Sequence, residues 1–183
     1  MTPVVLIGCS ATKLERAAPA RDLYTGRVFR ESVKYAEAIG ARWFVLSALH
    51  GVVAPETVIE PYDVTLTKLS KGERLSWAGM VAEQLDALGA PSRITVLAGA
   101  EYVAGCERYG RHRTFDAPLA GLGNGARYAR LVELRETVEQ ERGESQALDE
   151  ARSWMRSAVA DGGEVMLSGP HLRAVLAQIG GAS

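Results

Sequence analysis

Residues Arg42 to Thr65 read RWFVLSALHGVVAPETVIEPYDVT, and this stretch decides the fold. Trp43-Phe44-Val45-Leu46 is an unbroken apolar run with aromatic and β-branched residues. That is the composition of a strand buried on both faces. It gives way to small and polar residues, Ser47-Ala48-Leu49-His50-Gly51, where Gly51 can turn the chain as a bulky residue cannot. Pro55 and Pro61 then punctuate a polar loop that carries Glu60, Tyr62, Asp63 and Thr65. A buried strand that opens into such a loop is where an α/β protein places its chemistry.

Working outward, three more runs have the same character. They are PVVLIG (3–8), RITVLA (93–98) and a shorter segment from Thr114 to Leu119. A helical stripe of Val28, Phe29, Val33, Tyr35, Ala36 and Ile39 lies between the first two strands and stops at Gly40. Ser70 with Glu73 three residues on forms a capping box for a helix that ends at Gly89. A short helix is expected over Glu101 to Tyr109. Residues 14–26, LERAAPARDLYTG, read as irregular. Strands alternating with helices predict a three-layer α/β/α fold with a central, mostly parallel four-stranded sheet. In such a sheet, sites gather outside the carboxyl ends of the strands.

The loop Ala120-Gly121-Leu122-Gly123-Asn124-Gly125 feeds a helix from about Ala126 to Arg142. Gly143 is expected to break it, with Ser145 capping a further helix from Gln146 to Ala160. Pro170 opens a last helix to Ile179. The expected division is an α/β domain over 1–135 and a C-terminal helical extension over 136–183. The extension packs on the domain through Trp154, Leu172, Val175 and Leu176, or offers a partner surface, a homodimer contact included.

Composition narrows the class. The chain has 183 residues, 47% hydrophobic, which is enough for one sizeable core. A net charge of -1 argues against coating nucleic acid by bulk charge, though not against a local basic cleft such as Arg108, Arg111, His112 and Arg113. No apolar run approaches the roughly 20 residues of a membrane helix. Two cysteines, Cys9 and Cys106, make no disulfide framework, and no signal-peptide pattern opens the chain, so the expected setting is a reducing cytoplasm.

The chemistry is read from what the strand ends carry. His50, His112 and His171 are scattered and no cysteine pair has zinc spacing, so no metal is expected. There is no dinucleotide fingerprint or nucleophile elbow, and no cofactor is expected. Gly8-Cys9-Ser10-Ala11-Thr12-Lys13 can cradle an anion on backbone N–H groups, with Lys13 as a point charge or as a solvated loop lysine. Cys9 reads as a small buried residue or a nucleophile, and Tyr24 as a surface-packing ring or a stacking platform. Glu60 and Asp63 flank Pro61-Tyr62, with His50 and Ser47 just before them. Such carboxylates either cap turns or position water and stabilise a cationic sugar-like transition state.

GCSATK (8–13), DLYTGRVF (22–29), WFVLSALHGVVAPETVIEPYDVTL (43–66), VLAGAEY (96–102) and APLAGLGNG (117–125) together resemble a bacterial YaaA-like family of unknown function. The resemblance covers about residues 4–135. That family is similar to the uracil-DNA glycosylase-like fold, which also occurs in a domain of archaeosine synthase. The resemblance implies a strand-end site for a nucleobase, nucleoside or nucleotide. By it, Glu60, Asp63, His50 and Lys13 are catalytic candidates. Cys9, Ser10, Tyr24, Ser47, Tyr62, Gly99, Tyr102, Gly121 and Gly123 are substrate-binding candidates. The implied function is an enzyme acting at an N-glycosidic bond, by hydrolysis or base transfer. The alternatives are a non-catalytic DNA-binding stress-response protein, or amine or amide transfer to a deazaguanine-type base. The glycosylases proper carry an Asp or Asn after the first strand and a late His. Here Cys9-Ser10 and Lys13 stand at the first place and Gly121-Leu122-Gly123, with no His, at the second, so the resemblance does not extend to ordinary uracil excision.

Overall fold

A computed structural model of the chain describes residues 2–110, 112–160 and 169. Two compact units divide it, Met1–Arg135 and Glu136–Ser183.

The first unit is built on β1 (Val4–Gly8), whose four apolar residues are all buried. It lies at the middle of a five-stranded sheet, parallel to β3 (Arg42–Ser47) on one side and β6 (Arg93–Leu97) on the other. Beyond β6 runs β7 (Thr114–Asp116), also parallel. Beyond β3 runs β4 (Gly51–Val53), antiparallel. The fold is therefore α/β, as expected, but the sheet has five strands rather than four.

The extra strand comes from the turn after β3. Ser47 Oγ accepts hydrogen bonds from the backbone N–H of Leu49 (3.2 Å) and His50 (3.0 Å), so the chain reverses there. Gly51 takes φ +69°, which a side chain would resist. Gln84 then clamps the hairpin: its Nε2 donates to the His50 carbonyl at 3.0 Å and its Oε1 accepts from Val52 N at 2.7 Å.

Alternate residues of the central strands face opposite ways, giving two apolar clusters. Leu6, Phe44, Leu46 and Val96 pack against Trp77, Val81 and Leu85 of α3 (Lys71–Ala87) and Val103 of α4 (Ala100–Tyr109). Val5, Ile7, Val45 and Leu97 pack against Phe29 and Ala36 of α2 (Arg27–Ala38) and Leu131 of α5 (Asn124–Ala160). The Ser70–Glu73 capping box forms as read, with both reciprocal bonds present. The segment 14–26 is more regular than its sequence indicates. Ala18–Pro19 (β2) pairs antiparallel with Val58–Ile59 (β5), and Ala20–Leu23 forms a one-turn helix, α1.

The α5 helix runs to Ala160 without a break at Gly143. A glycine inside a helix costs only about 1 kcal/mol relative to alanine. Flanking pairs such as Gln140–Glu144 and Gln146–Glu150, each at 3.0 Å, support the turns on both sides of it. Trp154 is 37% exposed. Leu172, Val175, Leu176 and the helix expected from Pro170 lie outside the described residues.

One buried ion pair ties α2 to α5 within the first unit. Glu31, 2% exposed, accepts from Arg135 Nε at 2.7 Å and Lys34 Nζ at 3.3 Å. Burial pushes its carboxyl pKa up, but the two cations outweigh that and hold it below the usual value of 4.5. A depressed folded-state pKa gives stability that is present above the unfolded value and lost as pH falls. Glu31→Gln is expected to cost on the order of 2 kcal/mol at pH 7. In chemical denaturation at a series of pH values, the gap between wild type and variant should close below about pH 4.5. Equal midpoints at pH 7 would show that the pair contributes nothing.

Candidate functional site

The chain leaves β1 for β3 on one side and later returns for β6 on the other, so the direction of travel reverses between β1 and β6. The connections leaving the carboxyl ends of those strands run to opposite sides, and the crevice between them is the usual ligand position in an open α/β sheet. A cavity of about 580 Å³ lies there. Its floor is Gly8 to Thr12 after β1 and Leu97 to Gly99 after β6.

Two glycines let its walls close. A Cβ on Gly8 would lie 2.8 Å from Ala98 Cβ, so the strand ends can meet only without it. A Cβ on Gly26 would lie 2.6 Å from Ser10 Oγ, so the first turn of α2 can rest on the β1 loop only with glycine there. Arg27 and Phe29 of α2, Tyr102 of α4, and Asn124, Arg127 and Tyr128 of α5 complete the walls. The Arg27 guanidinium lies 4.5 Å from the Tyr128 ring centroid, a cation–π contact. No Asp or Glu lines the cavity among the described residues.

Of the residues named from sequence, Cys9, Ser10, Gly99 and Tyr102 line the cavity. Tyr24, Ser47, Tyr62, His50 and Lys13 form a second group at the strand ends. Both acceptor sites of Ser47 Oγ are taken by the Leu49 and His50 N–H groups, so its hydrogen donates to Tyr62 Oη at 2.7 Å. Tyr62 in turn donates to Tyr24 Oη at 2.8 Å. Lys13 Nζ lies 4.5 Å from the Tyr62 ring centroid, and the His50 ring meets the same ring edge-on at 5.4 Å. On the cavity side, the Tyr102 hydroxyl and Cys9 Sγ share a hydrogen bond at 3.2 Å. Trp77 Nε1 donates to the Ser47 carbonyl at 2.8 Å and fixes this end of β3.

Glu60 and Asp63 are exposed and do not line the cavity. Asp63 faces Lys68 at 3.8 Å, with 91% of its side chain in solvent. Gly121 takes φ +72° in the loop before α5, and the Gly123 carbonyl accepts the Arg127 N–H at the start of that helix; neither lines the cavity. Sequence reading missed Gly26, Arg27, Phe29, Arg127 and Tyr128. The signal was there in two Gly-initiated helices carrying an early arginine, TGRVF and GNGARY.

Other expectations can be placed as well. Arg113, its side chain 4% exposed, donates to Asp86 at 2.6 Å, and His112 reaches the same carboxylate at 3.3 Å. Half of the basic cluster is thus spent on Asp86, and Arg111 lies outside the described residues. No group of three or more metal-ligating side chains occurs among the described residues. No helix among them is long and apolar enough to cross a membrane.

Residues 4–133, more than two thirds of the chain, match the model of a family of unknown function, DUF6884. No curated protein matches the chain.

The tyrosines of the site are donors at neutral pH. Burial pushes the Tyr24 phenol up to about 12, against the pull of its bond from Tyr62. Burial raises Tyr62 and Tyr102 further still, with Cys9 adding to both. A raised folded-state pKa means that stability is intact below the unfolded value of 10.0 and is lost as pH climbs through the folded one. Melting temperature is therefore expected to fall between about pH 10 and about pH 12. Tyr24→Phe should cost about 1 kcal/mol at pH 7, because Tyr62 loses its acceptor, and should make the alkaline decline shallower. Tyrosinate absorbance rising freely at pH 10 in the folded protein would contradict this burial.

Proposed function

The chain belongs to the DUF6884 family of unknown function, and from its cavity we propose that it is an enzyme acting at the N-glycosidic bond of a nucleobase-bearing ligand. The base leaves by hydrolysis or by transfer. One observation carries this reading. The cavity at the point of sheet reversal is large enough for one nucleoside or nucleotide, and Phe29, Tyr102 and Tyr128 stand in its walls. Aromatic side chains stack on any nucleobase through its π-face. The resemblance to YaaA-like sequences and to the uracil-DNA glycosylase-like fold points to the same ligand class.

The reaction step is assigned to Glu60 and Asp63, which are exposed and outside the cavity wall, so the segment that carries them has to close on a bound ligand to act. Tyr62 lies between them, and its bonds to Ser47 and Tyr24 tie the segment to the strand ends. A carboxylate there would orient water or stabilise the oxocarbenium-like transition state. A second reading, binding without turnover, is favoured by the lack of any carboxylate in the cavity wall among the described residues. Nucleic-acid binding by the basic cluster has less support, since Asp86 already holds Arg113 and His112.

Base release from a panel of nucleosides and nucleotides, followed by chromatography, tests this reading. Glu60→Gln and Asp63→Asn keep shape and remove charge. At least one is expected to abolish release. Melting temperature should hardly change, because both side chains are exposed and surface pairs contribute little. Full turnover in both variants would remove these acids from the mechanism. Tight binding with no release from any compound would leave the binding reading in its place.

A further inference from the structure

We infer that the cavity takes a ligand bearing a phosphate monoester, held by Arg127 over Gly99. The inference rests on the reading of the cavity as a nucleobase-ligand site and narrows its ligand from free bases and nucleosides to nucleotides.

Charge is the first argument. Arg27 and Arg127 both line the cavity, and no acidic side chain does among the described residues. Neither arginine has an ion pair among the described residues. Arg27 is engaged by the Tyr128 ring, which leaves its charge uncompensated. Arg127 Nε is fully buried without any hydrogen-bond partner. The donors an anion in the cavity meets are the Arg127 Nη atoms beside Gly99.

Position is the second argument. A Cβ on Gly99 would lie 3.7 and 3.8 Å from the two Nη atoms of Arg127. The guanidinium therefore stands beside the first turn of α4, where Gly99 leaves open ground between them. α4 begins at Gly99 and α2 at Gly26, both without a side-chain cap, and both starts line the cavity. α3, whose start does not line it, carries the full Ser70–Glu73 capping box. The uncapped N–H groups of α2 and α4 are donors for an anion, and Asn124 brings the start of α5 to the same wall. A phosphate monoester carries close to two negative charges and several acceptor oxygens, which suits two arginines and two open helix starts better than a single carboxylate does.

Titration calorimetry on the full chain tests this with inorganic phosphate, the common nucleoside 5′-monophosphates, the matching nucleosides and a short single-stranded oligonucleotide. At least one monophosphate is expected to bind about tenfold or more tightly than its nucleoside, and the advantage should shrink as salt is raised. Arg127→Ala should abolish that advantage, and Arg127→Lys should restore part of it. The melting temperature without ligand checks that both variants fold. Equal affinity for nucleoside and monophosphate overturns the inference while leaving the nucleobase reading intact. An Arg127→Ala variant that folds and keeps the phosphate preference overturns the assignment of Arg127. An oligonucleotide that outbinds every monophosphate overturns the monoester in favour of a backbone phosphodiester. Inorganic phosphate binding as well as every nucleotide supports the anion site and tells instead against the nucleobase reading.

Discussion

The carboxyl ends of β1 and β6 lie side by side only because residue 8 carries no side chain. A methyl group there would sit 2.8 Å from the Cβ of Ala98, closer than such atoms pack. That contact sets the separation of the two strands at the point where the sheet reverses direction, and so sets the floor of the cavity. The same economy recurs at Gly26, where absence of a Cβ lets α2 begin directly against Ser10. The cavity floor is made by backbones brought close, and its backbone N–H groups stand beside the side chains of Arg27 and Arg127.

Around that floor the domain separates two kinds of polar group. The hydroxyls of Ser47, Tyr62 and Tyr24 are satisfied by one another and by the turn after β3, and burial keeps the phenols protonated. They shape one end of the sheet. The cavity instead is lined by Arg27 and Arg127 and by the first turns of α2 and α4, which have no side-chain cap. Folding tolerates few buried polar atoms without partners, which sets the cavity wall apart from the satisfied hydroxyls of the strand ends. Cys9 and Tyr102 join the two regions, with the Tyr102 hydroxyl bonded to the sulfur at the cavity edge.

The antiparallel strand β4 changes what the loop after β3 can do. The turn at Ser47–His50 sends the chain back along β3, and Gln84 clamps it there. Glu60 and Asp63 are thereby carried into solvent, while Tyr62 between them stays anchored to Ser47. A short hairpin thus decides which residues of the 43–66 block face the strand ends and which face water.

The sequence alone determined the four parallel strands, because runs such as VVLIG and WFVL can be satisfied only inside a sheet covered on both faces. It also determined the capping box of α3, a purely local exchange of two hydrogen bonds, and it placed Cys9, Ser10, Gly99 and Tyr102 at strand ends where the cavity lies. It could not bring Arg127 and Tyr128 to Gly99 and Arg27, since residues so distant in the chain meet only through the packing of α5 and α2 on one face of the sheet. The continuity of α5 through Gly143 and the hairpin at Gly51 were equally hidden. A glycine permits a break, a turn or a helix at similar local cost, and only the surrounding contacts choose among them.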